Sequence, residues 1–407
     1  MPRKVTRRTV LKTSAAAAFT TALIPSVSWG APSINIGSLT PNTGGGGPFG
    51  PKITSAHKLV VDRVNAAGGI LGGRHIALYQ ENSETNPEAA IRAARKLVDV
   101  NKVAGILGTW SSSVTLGIMP LCQEAGVIQM CTSSSADIPK KDTKGYVFDF
   151  QALSPRWGKA IGDLALRRGY KSFSIMALNN DFTGSMVDGF VKRVTADGAK
   201  IVNKPFYYNG GQASYRAEVA KLIKGNPQAV FIPSYVTDFT AVYKELFRAG
   251  YEGKVITVSI STGSKFKKAV GEAANGILHG LPVPPLESPA YKFYLKMRGM
   301  KDTGGVQHPF GTAGMDQMSV LLMAMEKAKS DNGPVVAKHI REVTNPGGES
   351  VYDVVEGLKL IRAGKDVNYT GASSDVDFDD EGMIKGRFFQ LWEIKDGRDV
   401  SIERVQS

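Results

Sequence analysis

Two short serine runs carry the chain's clearest capacity for chemistry. GILGTWSSSVTLGIMPL (105–121) ends an apolar stretch in Ser111, Ser112 and Ser113 and then turns helical. GVIQMCTSSSADIPK (126–140) repeats the pattern with Ser133, Ser134 and Ser135. Serines at the end of a buried strand can hold a nucleophile, cap a helix or cradle a ligand. A nucleophile needs a base that is itself held by an acid. No G-x-S-x-G elbow is present, and neither run has a sequence neighbour among His57, His75, His279, His308 and His339. Two cysteines and scattered histidines have no metal-ligand spacing, so no enzyme, metal site or cofactor is expected. Capping accounts for one serine of each trio. The other hydroxyls, with the unpaired N–H groups of a helix N-terminus, suit a carboxylate without a salt bridge, because that end carries about half a positive charge.

The elements that must hold these loops read as strand, loop and helix in repetition. SINIGSLTP (33–41) is a strand, PKITSAHKLVVDRVNAAGG (51–69) a helix and RHIALYQENS a strand. NPEAAIRAARKLVDV is a helix whose first turn suits Pro87 and Glu88, and VAGILGT is a strand. After DFQALSPRW the theme restarts, with KSFSIMAL, AKIVNKPFYY, PQAVFIPS and GKVITVSI as strands between helical segments. Continuous Ile/Val/Leu/Ala strands alternating with helices predict an α/β fold with parallel sheets covered on both faces. Because the theme runs twice, two doubly wound lobes are expected. The Pro-rich GLPVPPLESP (280–289) interrupts it; YKFYLKMRGM and GTAGMDQMSVLLMAMEKAKS follow as helices without strands. The tail from Asp375 returns to strand–turn–strand character. In such sheets ligands bind outside the carboxyl ends of the strands, where both serine runs lie. The glycine loop TGGGGPFG (43–50) sits at a strand end too, and Pro48 and Pro51 make it a rigid rim loop, with Phe49 a candidate ligand contact.

The 407 residues suit two domains of ordinary size, and no apolar run of membrane-spanning length crosses the body. Residues 1–30 differ: Arg3, Lys4, Arg7, Arg8 and Lys12 precede a short apolar stretch and a small-residue end, the pattern of a secretory signal. Arg7-Arg8 followed by Leu11-Lys12 resembles a twin-arginine signal, so export to the periplasm by that route is expected, with cleavage after Ser28 or Gly30. Without those five bases the net charge falls from +13 to +8, spread along the chain with no basic block, so no nucleic-acid partner is expected. Cys122, near a helix end, and Cys131, at the far end of the next strand, should stand more than about 10 Å apart, beyond disulfide reach. Two buried free thiols are expected.

INIGSLTPNTGG…GPFG, then DRVNAAGGILGGRHIALYQENSETNPEAAIRAARKLVDVNKVAGILGTWSSSV, closely resembles the branched-chain amino-acid-type periplasmic binding proteins. NNDFTG (179–184) and YKELFRAGYEGKVI (243–256) share the likeness, and NAAGGILGGR with the following NPEAA helix is its most specific part. The resemblance implies an extracytoplasmic receptor of an ABC importer, a monomer delivering a small ligand to a membrane permease. It implies a type I periplasmic binding protein fold: two lobes joined by three crossovers, near 149–155, 278–285 and Gly364–Gly371. Lobe 1 is then 32–152 plus 282–364, and lobe 2 is 153–281 plus 365–407. Proteins of this fold also act as sensory modules or amide sensors, which remains the alternative.

By the same resemblance, Ser111 matches the anchor of the ligand carboxylate, with Ser112 and Ser134 beside it in the runs. Ser133 and Ser135 match positions holding the ligand's ammonium and carboxylate. Trp110 would present an aromatic wall, Tyr235 would close over the ligand, and Phe182 or Thr183 lies in the corresponding NDFTG loop. Amino-acid binders of this type place an acid after the strand KVITVS, to pair with the α-ammonium; here SISTGSKF (259–266), with Ser261, has none. A desolvated ammonium without a counter-charge costs several kcal/mol. Either Asp238, also a candidate helix cap, substitutes, or the ligand is a carboxylic acid or amide without an ammonium.

Overall fold

The computed structural model describes residues 32–301, 309–386 and 388–406. The expected signal (1–30) and His308 lie outside the described residues. The first half of the chain builds a sheet from β1 (Ile34–Thr40), β2 (Ile76–Asn82), β3 (Gly105–Thr109), β4 (Ile128–Cys131) and β5 (Val147–Asp149). Its order is β2-β1-β3-β4-β5, with every pairing parallel. All five residues of β3 are buried, as a strand covered on both faces requires. The covering helices are α1 (Gly50–Ala66), α2 (Pro87–Arg95) and α3 (Ser112–Ala125). Asn86 caps α2, accepting from the Ala89 N–H, and Pro87 and Glu88 fill its first turn.

The short α4 (Asp137–Lys141) precedes β5, and α5 (Ser154–Arg167) opens the second sheet. That sheet contains β6 (Ser172–Leu178), β7 (Lys200–Ile201), β8 (Phe206–Tyr208), β9 (Ala229–Phe231), β10 (Lys254–Val258) and β11 (Leu278–Val283). The helices between them are α6 (Asp181–Ala196), α7 (Arg216–Ile223), α8 (Val236–Arg248) and α9 (Ser264–Val270). Strands β6 to β11 pair in parallel, in the order β7-β6-β9-β10-β11, with β8 also on β6. The segment read as one strand, AKIVNKPFYY, is thus broken into β7 and β8. At the break, Asn203 donates its side-chain amide to Lys224 O (2.7 Å) and Ser174 Oγ (3.0 Å).

The chain then returns to the first sheet through α10 (Pro289–Met297) and α11 (Pro309–Ala328). Residues 309–325 of α11 are all buried, the mark of a helix inside a core rather than on a surface. A two-stranded parallel ladder, β12 (Glu349–Val351) with β13 (Val367–Tyr369), lies between the last helix read from the sequence and the tail. The tail ends in the antiparallel hairpin β14 (Phe388–Lys395) and β15 (Arg398–Gln406), with β14 joined to β11.

The third crossover falls later than expected. Residues 365–384 stay with the first sheet: Tyr369, Val376, Phe378 and Ile384 pack in its core, and Met383 bridges to Asp149. The anchor is Asp316 of α11, whose carboxylate accepts from Tyr369 OH (2.9 Å), Ala372 N (2.8 Å) and Ser373 N (2.7 Å). Burial still pushes its carboxyl up, to about 6. The passage to the second sheet therefore comes after Ile384.

Candidate functional site

In each sheet the strand order reverses at one place, and ligands of open α/β sheets bind there. In the first sheet the reversal lies between β1 and β3, so the loops after them, the glycine loop and the first serine run, face each other across it. In the second it lies between β6 and β9, followed by Asn179–Phe182 and Ile232–Tyr235. Three of these loops line one cavity, and the glycine loop packs behind its wall.

The first-sheet wall is polar. Gly108, at φ +84°, has no room for a Cβ, which would stand 2.7 Å from Thr40 Cγ2 and 2.8 Å from His57 Cε1. Ser111 adopts φ +77°, ψ 134°, rare for a non-glycine residue, and its Oγ accepts from Val114 N–H (3.4 Å) as the N-cap of α3. Ser112 Oγ accepts from both Ser134 N (3.2 Å) and Ser135 N (3.0 Å), tying the two runs together. Ser133 Oγ bonds Thr115 Oγ1 (2.6 Å), and Ser135 Oγ accepts from Asp137 N (3.2 Å). Trp110, Ser111, Ser112, Thr132, Ser133, Ser134 and Gln151 line this side of the cavity.

The opposite wall is apolar: Phe182 at the start of α6, Tyr235 capping α8, Ile260, and Trp157 from the first turn of α5. Trp110 meets Tyr235 at 5.3 Å between ring centroids, and Phe182 stacks on Tyr235 at 6.4 Å. Phe310 of α11 closes the back, 5.9 Å from Trp110 and edge-on. The glycine loop seats on the same group, since a Cβ on Gly45 would lie 2.7 Å from the Tyr235 ring. At the mouth, Ser113 Oγ donates to Asp181 Oδ2 (2.6 Å).

Of the residues singled out in the sequence, Trp110, Ser111, Ser112, Ser133, Ser134, Phe182 and Tyr235 come together on the cavity wall. Ser135, Thr183, Asp238, Ser261 and Phe49 do not. Thr183 donates its hydroxyl to Leu178 O, and Ser261 donates to Ser234 O (2.6 Å). Asp238 accepts from Gly211 N (2.8 Å) and Tyr215 OH (2.6 Å), which braces a neighbouring loop. Phe49 packs behind the wall against Trp110 (5.2 Å) and Phe310 (4.7 Å). Sequence reasoning missed Thr132, Gln151, Trp157, Ile260 and Phe310. Thr132 directly precedes the second run, and Trp157 lies four residues beyond the last residue of the first crossover loop, Leu153.

Charge is distributed unevenly around the site. Among the described residues, no acid, base or histidine lines the cavity. Helices α6 and α8 carry Asp181 and Asp238 in their first turns, whereas α3 has no acid of its own there and meets the Asp181 carboxylate only at the mouth, through Ser113. His57 is a core residue between Ser38 Oγ (2.9 Å) and Gln317 Oε1 (3.1 Å), and burial lowers its pKa to about 4. Cys122 and Cys131 are buried and free; burial pushes the Cys122 thiol up to about 12 and holds the Cys131 thiol well above its ordinary range, with Asp149 adding to it.

Two parallel doubly wound sheets whose reversal points share one cavity define a type I periplasmic binding protein, a ligand receptor and not an enzyme. The chain belongs to the periplasmic binding protein family, which matches residues 33–365. It is 24% identical over 350 residues to the leucine-, isoleucine-, valine-, threonine- and alanine-binding protein of Pseudomonas aeruginosa, covering 84% of this chain and 92% of that one. A leucine binding protein from Thermotoga maritima superposes with a TM-score of 0.76 at 20% identity, over 91% of this chain and 98% of that one. A solute binding protein of an ABC transporter from R. palustris, in complex with benzoate, does so with 0.71 at 20% identity, over 91% and 96%. The resemblance to the branched-chain amino-acid type, read from the glycine-rich block and the serine run, holds at the level of family and fold.

Proposed function

We propose that this protein is an extracytoplasmic receptor that closes on a small carboxylic acid lacking an α-ammonium, an aromatic acid above all, and delivers it to the permease of an ABC importer. One observation carries the reading: the cavity offers a helix N-terminus and serine donors for a carboxylate, while among the described residues no acid lines it to pair with an ammonium. Asp238, the one candidate substitute in the sequence, is engaged by Gly211 and Tyr215 off the cavity. The apolar wall of Trp157, Phe182, Tyr235 and Phe310 supplies faces and edges for a planar ring. The benzoate complex of a protein of the same fold supports the class, while the amino-acid-binding relative favours the competing reading. Export is supported by the family and by the basic and apolar character of residues 1–30.

Calorimetric titration with benzoate, 4-methylpentanoate and leucine separates the two readings. The acids should bind and leucine, matched to 4-methylpentanoate except for its ammonium, should bind at least about a hundredfold more weakly, the cost of an unpaired buried charge. Leucine binding tighter than the matched acid, and surviving Asp238→Ala, would overturn the proposal.

A further inference from the structure

The hydroxyls of the polar wall are not equivalent. Those of Ser111, Ser112 and Ser133 are engaged within the protein, as cap, brace and strut. Thr132 differs. It is 3% exposed, lines the cavity, and its Oγ1 has no hydrogen-bond partner among the described residues. Its backbone is held in place, since Thr132 N donates to Thr109 O (3.1 Å).

Gln151 lines the same cavity from the segment that follows β5. Cys131 stands opposite Asp149, and Phe150 N donates to Cys131 O (2.9 Å), which carries the two chains side by side into the cavity. Gln151 is 1% exposed, and Ala152 N–H donates to its Oε1 (3.1 Å), which sets the orientation of the amide. The residues continuing the wall, Trp157, Ile260 and Phe310, are apolar. A buried hydroxyl left unpaired is costly, and a ligand group that reaches it recovers that cost, whereas a ligand lacking such a group does not.

Resting on the carboxylic-acid reading above, we infer that Thr132 is a specificity-determining residue: with Gln151 it forms a second polar station that selects a ring-hydroxylated aromatic acid over the unsubstituted one. The carboxylate occupies the α3 end and the ring hydroxyl pairs with Thr132 Oγ1, with the ring covered by the aromatic wall opposite.

The test is calorimetry on the full chain and its Thr132→Val variant with benzoate, 3-hydroxybenzoate and 4-hydroxybenzoate. The wild-type protein should favour one hydroxylated isomer over benzoate by about tenfold, and the variant should reduce that ratio to within about twofold of one. A wild-type protein with no preference for either isomer, or a variant that weakens all three acids equally, overturns the inference; equal weakening would make Thr132 part of the carboxylate seat. If the wild-type protein binds none of the three, the aromatic-acid reading fails instead, and the ligand-free melting temperature decides on Thr132. An unpaired hydroxyl predicts that Thr132→Val melts at or above the wild-type temperature. A fall of more than about 3 °C would show a structural bond there and overturn the inference.

Discussion

The two walls of the cavity are built from the same unit, a strand end feeding a helix N-terminus, yet they have opposite chemistry. On the first-sheet side, α3 begins with serines and no acid of its own, and its N-terminus faces the cavity. On the second-sheet side, α6 and α8 each carry an aspartate in the first turn, and what they present to the cavity is Phe182 and Tyr235. One wall is equipped to fix an anion and the other to cover a ring. A shared topology therefore sets where the cavity lies, while the residues at the starts of three helices set the chemistry of its walls.

Equalising the walls is the strongest way to break this contrast. Ser113→Asp gives α3 the first-turn acid that α6 and α8 have, and places it against Asp181, to which Ser113 now donates. Affinity for benzoate should fall by about thirtyfold, about 2 kcal/mol, more at low salt than at high. Calorimetry at two ionic strengths checks it; an unchanged affinity would mean that the α3 end does not hold the carboxylate. Next in size is Tyr235→Ala, which removes the ring facing Trp110 and Phe182. It should weaken benzoate about tenfold but an aliphatic acid of similar length only about threefold, because the stacking component is lost from the aromatic ligand alone. Equal losses would demote the second wall to a mere cover.

The smallest expected effect is none at all. No cavity-lining side chain titrates near neutrality, and burial holds the Tyr235 phenol above its ordinary range, with Asp181 adding to it. Affinity for benzoate should be flat within about twofold between about pH 6 and about pH 9, a window above the ligand's own carboxyl and below ordinary phenols. A slope centred in that window would expose a titrating partner and end the description of the polar wall as neutral.

Much of this was legible in the sequence for a physical reason: it was local. The alternation of strands and helices, the first turn of α2 at Pro87 and Glu88, the serine runs and the missing acid after β10 are all written within a few residues. The glycine loop was placed on the rim, though Phe49 packs behind Trp110 and the close approach to Tyr235 belongs to Gly45. What was not legible depends on residues far apart in the chain. The late third crossover is held by Asp316, which bonds residues more than fifty positions away, and no local pattern announces that. Asp238 looked available because Gly211 and Tyr215, which occupy it, come from another loop. Phe310 and Trp157 enter the cavity from helices whose own patterns report only burial.

The placement of the indoles has a practical consequence. Of the chain's four tryptophans, Trp110 and Trp157 stand on the cavity wall, while Trp392 lies stacked on His279 at 5.5 Å, on the strand that joins the hairpin to the second sheet. A ligand settling between the walls changes the surroundings of the first two chromophores and leaves the third as it was. The protein thus contains both an optical gauge of its own occupancy and the internal standard against which to read it, without any label.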